Sequence, residues 1–169
     1  NYIFSGNYAG SIKKDGHYFR FIKDMDGDMR LQSRTESVNG GYLNKIDHVP
    51  QLMNFFNSLP NGTCLLGEIY YPNKAGSKNI TSIMGCLTDK AIKRQESKEY
   101  GPVHYWVFDV WAYDGESYLD TIVEDRIKTL DKIKENNSAQ YVEFATYWTG
   151  EKLWENLQIA RARGEEGIV

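Results

Sequence analysis

Lys13-Lys14-Asp15-Gly16-His17-Tyr18-Phe19-Arg20-Phe21-Ile22 joins a charged turn to a run of aromatic and branched side chains. The run has the composition of a β-strand, so Lys13 sits on a rigid edge. Side chains two apart on an extended segment point the same way, so Lys13 and Asp15 are expected to face one space and Lys14 the other. Gly16 is expected to let the chain turn. A lysine so placed is either a solvated turn residue or, where its charged form is disfavoured, a nucleophile toward phosphorus or a carbonyl. Only other residues decide between the two.

Working outward, Asp24-Met25-Asp26-Gly27-Asp28 is a hairpin turn between a strand at His17 to Lys23 and a returning strand at Met29 to Ser33. The three aspartates resemble part of a calcium loop, but no Glu follows at the required place, so the segment is a turn. A short strand is expected at Ala9 to Lys13, and a polar, glycine-rich loop at Thr35 to Tyr42. Leu52, Phe55, Phe56 and Leu59 follow the i, i+3, i+4, i+7 pattern of a helix over Pro50 to Leu59. Cys64 to Tyr71 is a buried strand with one charge, Glu68. A carboxylate there is costly unless it is paired, metal-bound or on a cleft wall.

Asn73 to Ser82 is a polar loop and Cys86 to Lys98 a helix. In the strand Val103 to Trp111, alternation groups Val103, Tyr105, Val107, Asp109 and Trp111 on one face, and His104, Trp106, Phe108 and Val110 on the other. His104 reads as a strand residue with a local partner. Asp114-Gly115 turns the chain, Ser117 to Lys134 is an amphipathic helix with Ser117 at its cap, and Tyr141 to Tyr147 is a strand. Gly150 to Arg163 is a helix ended by Gly164, and Glu165 to Val169 opens another strand with a carboxylate at its mouth. Strands and helices mix without a βαβ rhythm, so the class is α+β, with largely antiparallel sheets.

The 169 residues suit one domain with a real core. The net charge of -3 does not advertise a nucleic-acid partner, so any such surface must be local. No apolar run approaches the ~20 residues of a membrane span, and Asn1 to Gly6 lacks the blocks of a signal peptide. An intracellular, cytoplasmic protein is expected. Cys64 and Cys86 have no metal-ligand spacing and read as core thiols. The triplets beginning at Asn61, Asn79 and Asn136 match glycosylation sites but carry no meaning in the cytosol.

Lys13 with Asp15, Arg34, Glu68, Phe108 with Asp109, and Glu166 each head or line a strand. Their order and spacing resemble the covalent nucleotidyltransferases, in particular the adenylation domain of ATP-dependent DNA ligases. The K-x-D-G motif resembles Lys13 to Gly16, and the Ser-Arg motif Ser33-Arg34. The G-E motif resembles Gly67-Glu68, the F-D-V type motif Phe108 to Val110, and the E-G-I-V type motif Glu166 to Val169. The resemblance spans essentially the whole chain.

It implies an ATP-grasp-like nucleotidyltransferase fold, two largely antiparallel sheets flanked by helices around a nucleotide cleft. It implies an enzyme, a DNA ligase, in which the Lys13 amine takes AMP from ATP, passes it to a 5′-phosphate and seals the nick with a 3′-OH. Mg²⁺ is implied, with Glu166 and Glu68 as its candidate ligands. Further implied are Glu68 on ribose, Phe108 stacked on adenine, Ser11 and Ile12 bordering the base, and Arg34 on the AMP phosphate or the 5′-phosphate end. The expected partners are ATP and nicked duplex DNA, met by a monomer of bacterial or viral type.

Residues 1–169 then form one adenylation domain that ends after the E-G-I-V motif, before a further lysine-bearing strand, with the OB-fold domain of ligases outside the chain. The chain departs from the family at Tyr18, where many ligases extend the first motif to K-x-D-G-x-R. Arg20, two residues on and on the same strand face, is the expected substitute and a candidate nucleic-acid contact beside Arg34. The alternatives are an RNA ligase of the same superfamily and a catalytically silent nucleotide- or nucleic-acid-binding domain. Glu166 stands where capping guanylyltransferases usually carry Asp, and only twelve residues precede Lys13, which argues against an NAD-dependent ligase.

Overall fold

The computed structural model describes residues 2–72 and 77–169. In chain order the elements are β1 (Ala9–Gly10), β2 (Ile12–Lys13), β3 (His17–Lys23), β4 (Met29–Ser33), α1 (Met53–Ser58) and β5 (Thr63–Tyr70). There follow α2 (Ser77–Met84), α3 (Thr88–Glu96), β6 (His104–Tyr113), β7 (Glu116–Ser117), α4 (Val123–Asn136) and β8 (Val142–Phe144). The last are β9 (Trp148–Thr149), α5 (Gly150–Ala162) and β10 (Gly167–Ile168). The chain divides into two compact units, Gly16–Phe144, and Asn1–Asp15 with Ala145–Val169.

The larger unit is built on a six-stranded sheet of order β4-β3-β5-β6-β7, with β8 beside β6. All its pairings are antiparallel except β6 with β8. The β3–β4 hairpin closes as expected. The Asp24 carboxylate accepts the backbone N–H groups of Asp26 (3.1 Å) and Asp28 (2.9 Å), and Gly27 takes φ +91°. The aspartates therefore serve the turn.

Register gives two rows across four strands: Phe19, Gly67, Val107 and Phe144, and next to it Tyr18, Glu68, Trp106 and Glu143. The pleat sends adjacent rows to opposite faces. The first row faces the core, where α1 supplies two rings. Phe56 stacks on Phe21 with centroids 4.1 Å apart and meets Tyr105 edge-on at 5.9 Å, while Phe55 meets Phe144 at 6.0 Å. Burying such a ring contributes about 1.5–3 kcal/mol.

In β6 the register with β5 shifts twice, leaving Phe108 and Trp111 without partners in the ladder. Each is the extra residue of a bulge, which reverses the alternation beyond it. Val110 is consequently fully buried with Tyr105 and Val107, and Asp109 leaves their face. This corrects the strict alternation expected for Val103 to Trp111.

In the smaller unit β1 pairs with β9 and β2 with β10, both antiparallel. Ser11 and Val169 exchange backbone hydrogen bonds of 2.8 and 2.9 Å. Leu153 and Ala160 are the buried side of α5, and Gly164 at φ +71° closes that helix as expected.

Other boundaries differ from expectation. The strand Ala9 to Lys13 is broken at Ser11 into β1 and β2. The helix over Pro50 to Leu59 begins as a 3₁₀ turn, Pro50–Leu52, and is α-helical only over Met53–Ser58. Much of the loop Asn73 to Ser82 is helix: α2 buries Ile80, Ile83 and Met84 at helical spacing, and residues 73–76 lie outside the described residues. The helix within Cys86 to Lys98 spans Thr88–Glu96. Ser117 is no cap, because it pairs with Ala112 in the β6–β7 hairpin and α4 starts at Val123. Of Tyr141 to Tyr147 only Val142–Phe144 joins the sheet. Cys64 and Cys86 are free thiols, each partly rather than fully buried, where core thiols were expected.

Candidate active site

In the smaller unit, pairing of β2 with β10 sets Lys13 opposite Gly167 and Ile12 opposite Ile168. This brings the two ends of the chain's motif series together: the Lys13 ammonium is ion-paired with Glu166, both side chains about two-fifths exposed. Beside them Lys14 pairs with Glu165 at 3.1 Å and is more buried. The bend after Lys13 ends the alternation, so adjacent lysines each take one of two adjacent glutamates. Ser11, bordering this pair, is buried, and its hydroxyl has no hydrogen-bond partner among the described residues.

In the larger unit the face opposite the core carries Tyr18, Glu68 and Trp106 as neighbours on three strands. Two glycines fix this arrangement by close approach. A Cβ on Gly16 would lie 2.5 Å from the Ile69 carbonyl oxygen and 3.1 Å from Glu68 Oε2. A Cβ on Gly67 would lie 2.5 Å from the Trp106 carbonyl oxygen and collide with the Tyr105 ring. Gly16 is thus required by contact with β5, and its φ is not in the left-handed region.

Beside Glu68 the Tyr18 ring lies 6.3 Å from that of Phe108, tilted by 47°, and the Arg34 guanidinium stands 5.0 Å over Tyr18. Arg20 stands 4.5 Å over the ring of Tyr42. Burial pushes the Tyr18 phenol above its ordinary value, with Arg20 and Arg34 pulling the other way, so it is neutral at pH 7. Asp109 pairs with Arg126 at 2.8 Å and accepts the N–H of Val110, a structural role that locks the bulge.

Sequence reasoning missed a second group on the same face. Tyr70 donates to Glu143, whose Oε1 also meets His104 Nδ1 at 3.1 Å. His104 therefore has the local partner expected of it. Glu143 gave no signal because it lies in a short strand far along the chain.

The smaller unit thus holds a lysine paired with the carboxylate just before β10, and the larger unit has a sheet face that combines a carboxylate, arginines and aromatic rings. The chain belongs to the ATP-dependent DNA ligase domain family, whose sequence profile matches residues 4–169. It is an adenylation domain of the DNA-ligase type, in a family that uses ATP.

Among solved structures the chain is similar to the ligase domain of LigD from M. tuberculosis (22% identity, TM-score 0.65), covering 95% of this chain and 46% of that one. It is also similar to a Lig E DNA ligase (18%, TM-score 0.62; 96% and 54%). The ATP-dependent DNA ligase of bacteriophage T7, solved with ATP, is a third (16%, TM-score 0.56; 97% and 56%). At these identities the likeness shows the fold, and it bears out the α+β, largely antiparallel class. The chain spans about half the length of these structures. No curated protein sequence matches it. Among the described residues no helix is long and apolar enough to cross a membrane.

Proposed function

We propose that the chain is the adenylating part of an ATP-dependent DNA ligase, and that Lys13 is its nucleophile. The observation that supports this reading is the ion pair between Lys13 and Glu166, which head the first and last of the stretches that resemble the family's motifs. In the reaction the amine lone pair forms an N–P bond to the α-phosphorus of ATP. The P–O bond to the β-phosphate breaks, and pyrophosphate leaves with the electron pair. Lysine must first lose a proton, because the pair with Glu166 favours the ammonium form and only the free amine attacks.

Among the described residues no group of three or more His, Cys, Asp or Glu is gathered to hold a metal. Mg²⁺ takes one or two carboxylates together with substrate phosphates and water, so it does not require such a group. Glu166 and Glu68 are the residues that would hold it, and the ion supplies neutralisation of phosphate charge. Glu68 also serves the ribose, Phe108 stacks on adenine, Ser11 and Ile12 border the base, and Arg34 takes a phosphate. The lysyl-AMP then passes AMP to the 5′-phosphate of a nick, which the 3′-OH attacks. On this reading the enzyme is cytoplasmic, meets DNA as a monomer, and works with an OB-fold domain as in complete ligases.

The test is incubation with Mg²⁺ and α-labelled ATP or GTP, followed by denaturation. Label retained from ATP, released by acid and absent from Lys13→Ala, is expected. No retained label from either nucleotide would refute the reading, and label from GTP would redirect it to guanylyl transfer. Nicked DNA against nicked RNA then separates a DNA ligase from an RNA ligase.

A further inference from the structure

The β3–β4 register, with Phe19 opposite Ser33 and Arg20 opposite Gln32, puts Tyr18 and Arg20 on the same sheet face as Gln32 and Arg34. Arg20 and Arg34 are diagonal neighbours across the two strands, a relation that spaces such residues about 7–8 Å apart. Arg30 and Arg126 are each neutralised by an aspartate at 2.8 Å. Arg20 and Arg34 have no carboxylate partner among the described residues, and each guanidinium lies over a tyrosine ring instead, Arg20 over Tyr42 and Arg34 over Tyr18. A ring fixes where a guanidinium sits without consuming its charge or all of its N–H donors. Two arginines without a salt-bridge partner thus stand side by side on this face, with Glu68 the carboxylate diagonal to Arg20 across β3 and β5.

We infer that Tyr18 and Tyr42 are positioning residues that hold Arg34 and Arg20 as a two-pronged clamp for neighbouring phosphates of one nucleic-acid strand. The inference rests on the ligase reading for the identity of the strand, nicked duplex DNA. It also changes the meaning of Tyr18. This residue replaces the expected arginine of the first motif by carrying another arginine on its ring, and Arg20 is the second prong.

Binding of labelled nicked duplex, without ATP and over a series of salt concentrations, tests the clamp. Tyr42→Leu removes no charge and alters an exposed side chain, yet it is expected to weaken binding about 2- to 5-fold, the worth of one partly exposed cation–π contact. Tyr42→Phe is expected to bind as the unmodified chain does. Arg20→Ala is expected to lower the slope of log affinity against log salt by about 0.9, one phosphate contact. Tyr18→Leu and Tyr18→Phe should repeat the Tyr42 pattern.

Wild-type affinity in Tyr42→Leu, equal losses in the Leu and Phe variants, or an unchanged slope in Arg20→Ala would each overturn the inference. Because the assay contains no ATP, the clamp can fail while Lys13 is still labelled. Equally, the labelling experiment can fail while the clamp stands.

Discussion

Replacing Gly67 by alanine tests whether the glycine of the G-E motif is there for the sheet rather than for the nucleotide. The new methyl would lie 2.5 Å from the Trp106 carbonyl oxygen and 2.7 Å from Tyr105 Cζ, so backbone or ring has to give way. Neither is free to do so. Trp106 is in the β5–β6 ladder, and Tyr105 is fully buried with its hydroxyl within 3.1 Å of the Phe19 oxygen and 3.2 Å of the Leu65 oxygen. Overpacking costs about 1–3 kcal/mol, and loss of a buried hydrogen bond about 1 kcal/mol more. The expected destabilisation is about 2–4 kcal/mol, a large share of the 5–15 kcal/mol typical of a domain. Urea unfolding followed by tryptophan fluorescence reads this as a lower midpoint at unchanged slope. A loss below about 1 kcal/mol would refute the close-approach argument and leave Gly67 to be explained by ligand contact alone.

Two further outcomes follow from titrating groups. Burial lowers the pKa of His48, whose Nε2 meets the Cys86 carbonyl at 2.9 Å. The unfolded state therefore binds a proton more readily, and the contribution to stability is present above pH 6.5 and lost as pH falls below it. His48→Gln should flatten the fall in unfolding free energy between pH 7 and 5, and an unchanged slope would assign the acid sensitivity to other groups. Burial also pushes the Cys64 thiol up to about 11. Alkylation of Cys64 at pH 8 should run about 100-fold slower in the folded chain than in urea, since the thiolate is the reacting form. Mass spectrometry of the alkylated peptide measures this, and comparable rates in the two states would contradict the assigned burial.

What could be read from the sequence was whatever depends on local composition. The hairpin at Asp24 to Asp28 was legible because its turn residues and flanking strands agree. So were β5, and β6 as an element, because their apolar runs are long. The failures have a common cause, which is that register is decided by partners elsewhere in the chain. Phe108 and Trp111 look like ordinary alternating strand residues until β5 is laid beside them. Ser117 has the chemistry of a cap, but Ala112 claims it for a hairpin. The pattern Ile80, Ile83 and Met84 was a usable signal for α2, hidden among polar neighbours. At the candidate site the residue types were legible, and the pairing of Lys13 with Glu166 was not, because 152 residues separate them.

Register also explains why motifs that are individually weak become specific when they occur in order. The K-x-D-G glycine and the G-E glycine both touch the sheet around β5: Gly16 approaches Ile69, Tyr70 and Glu68, and Gly67 approaches Tyr105 and Trp106. Each glycine forbids a side chain at the point where two strands come closest, and so holds the row from Tyr18 through Glu68 to Trp106. The bulge at Phe108 then turns the strand just beyond that row, and Asp109 fastens it through Arg126. The F-D motif is thereby split into a residue for the face and a residue for the strand. Gly16, Gly67 and the bulge at Phe108 all border β5 in the larger unit, so change at any one of them disturbs the row from Tyr18 through Glu68 to Trp106.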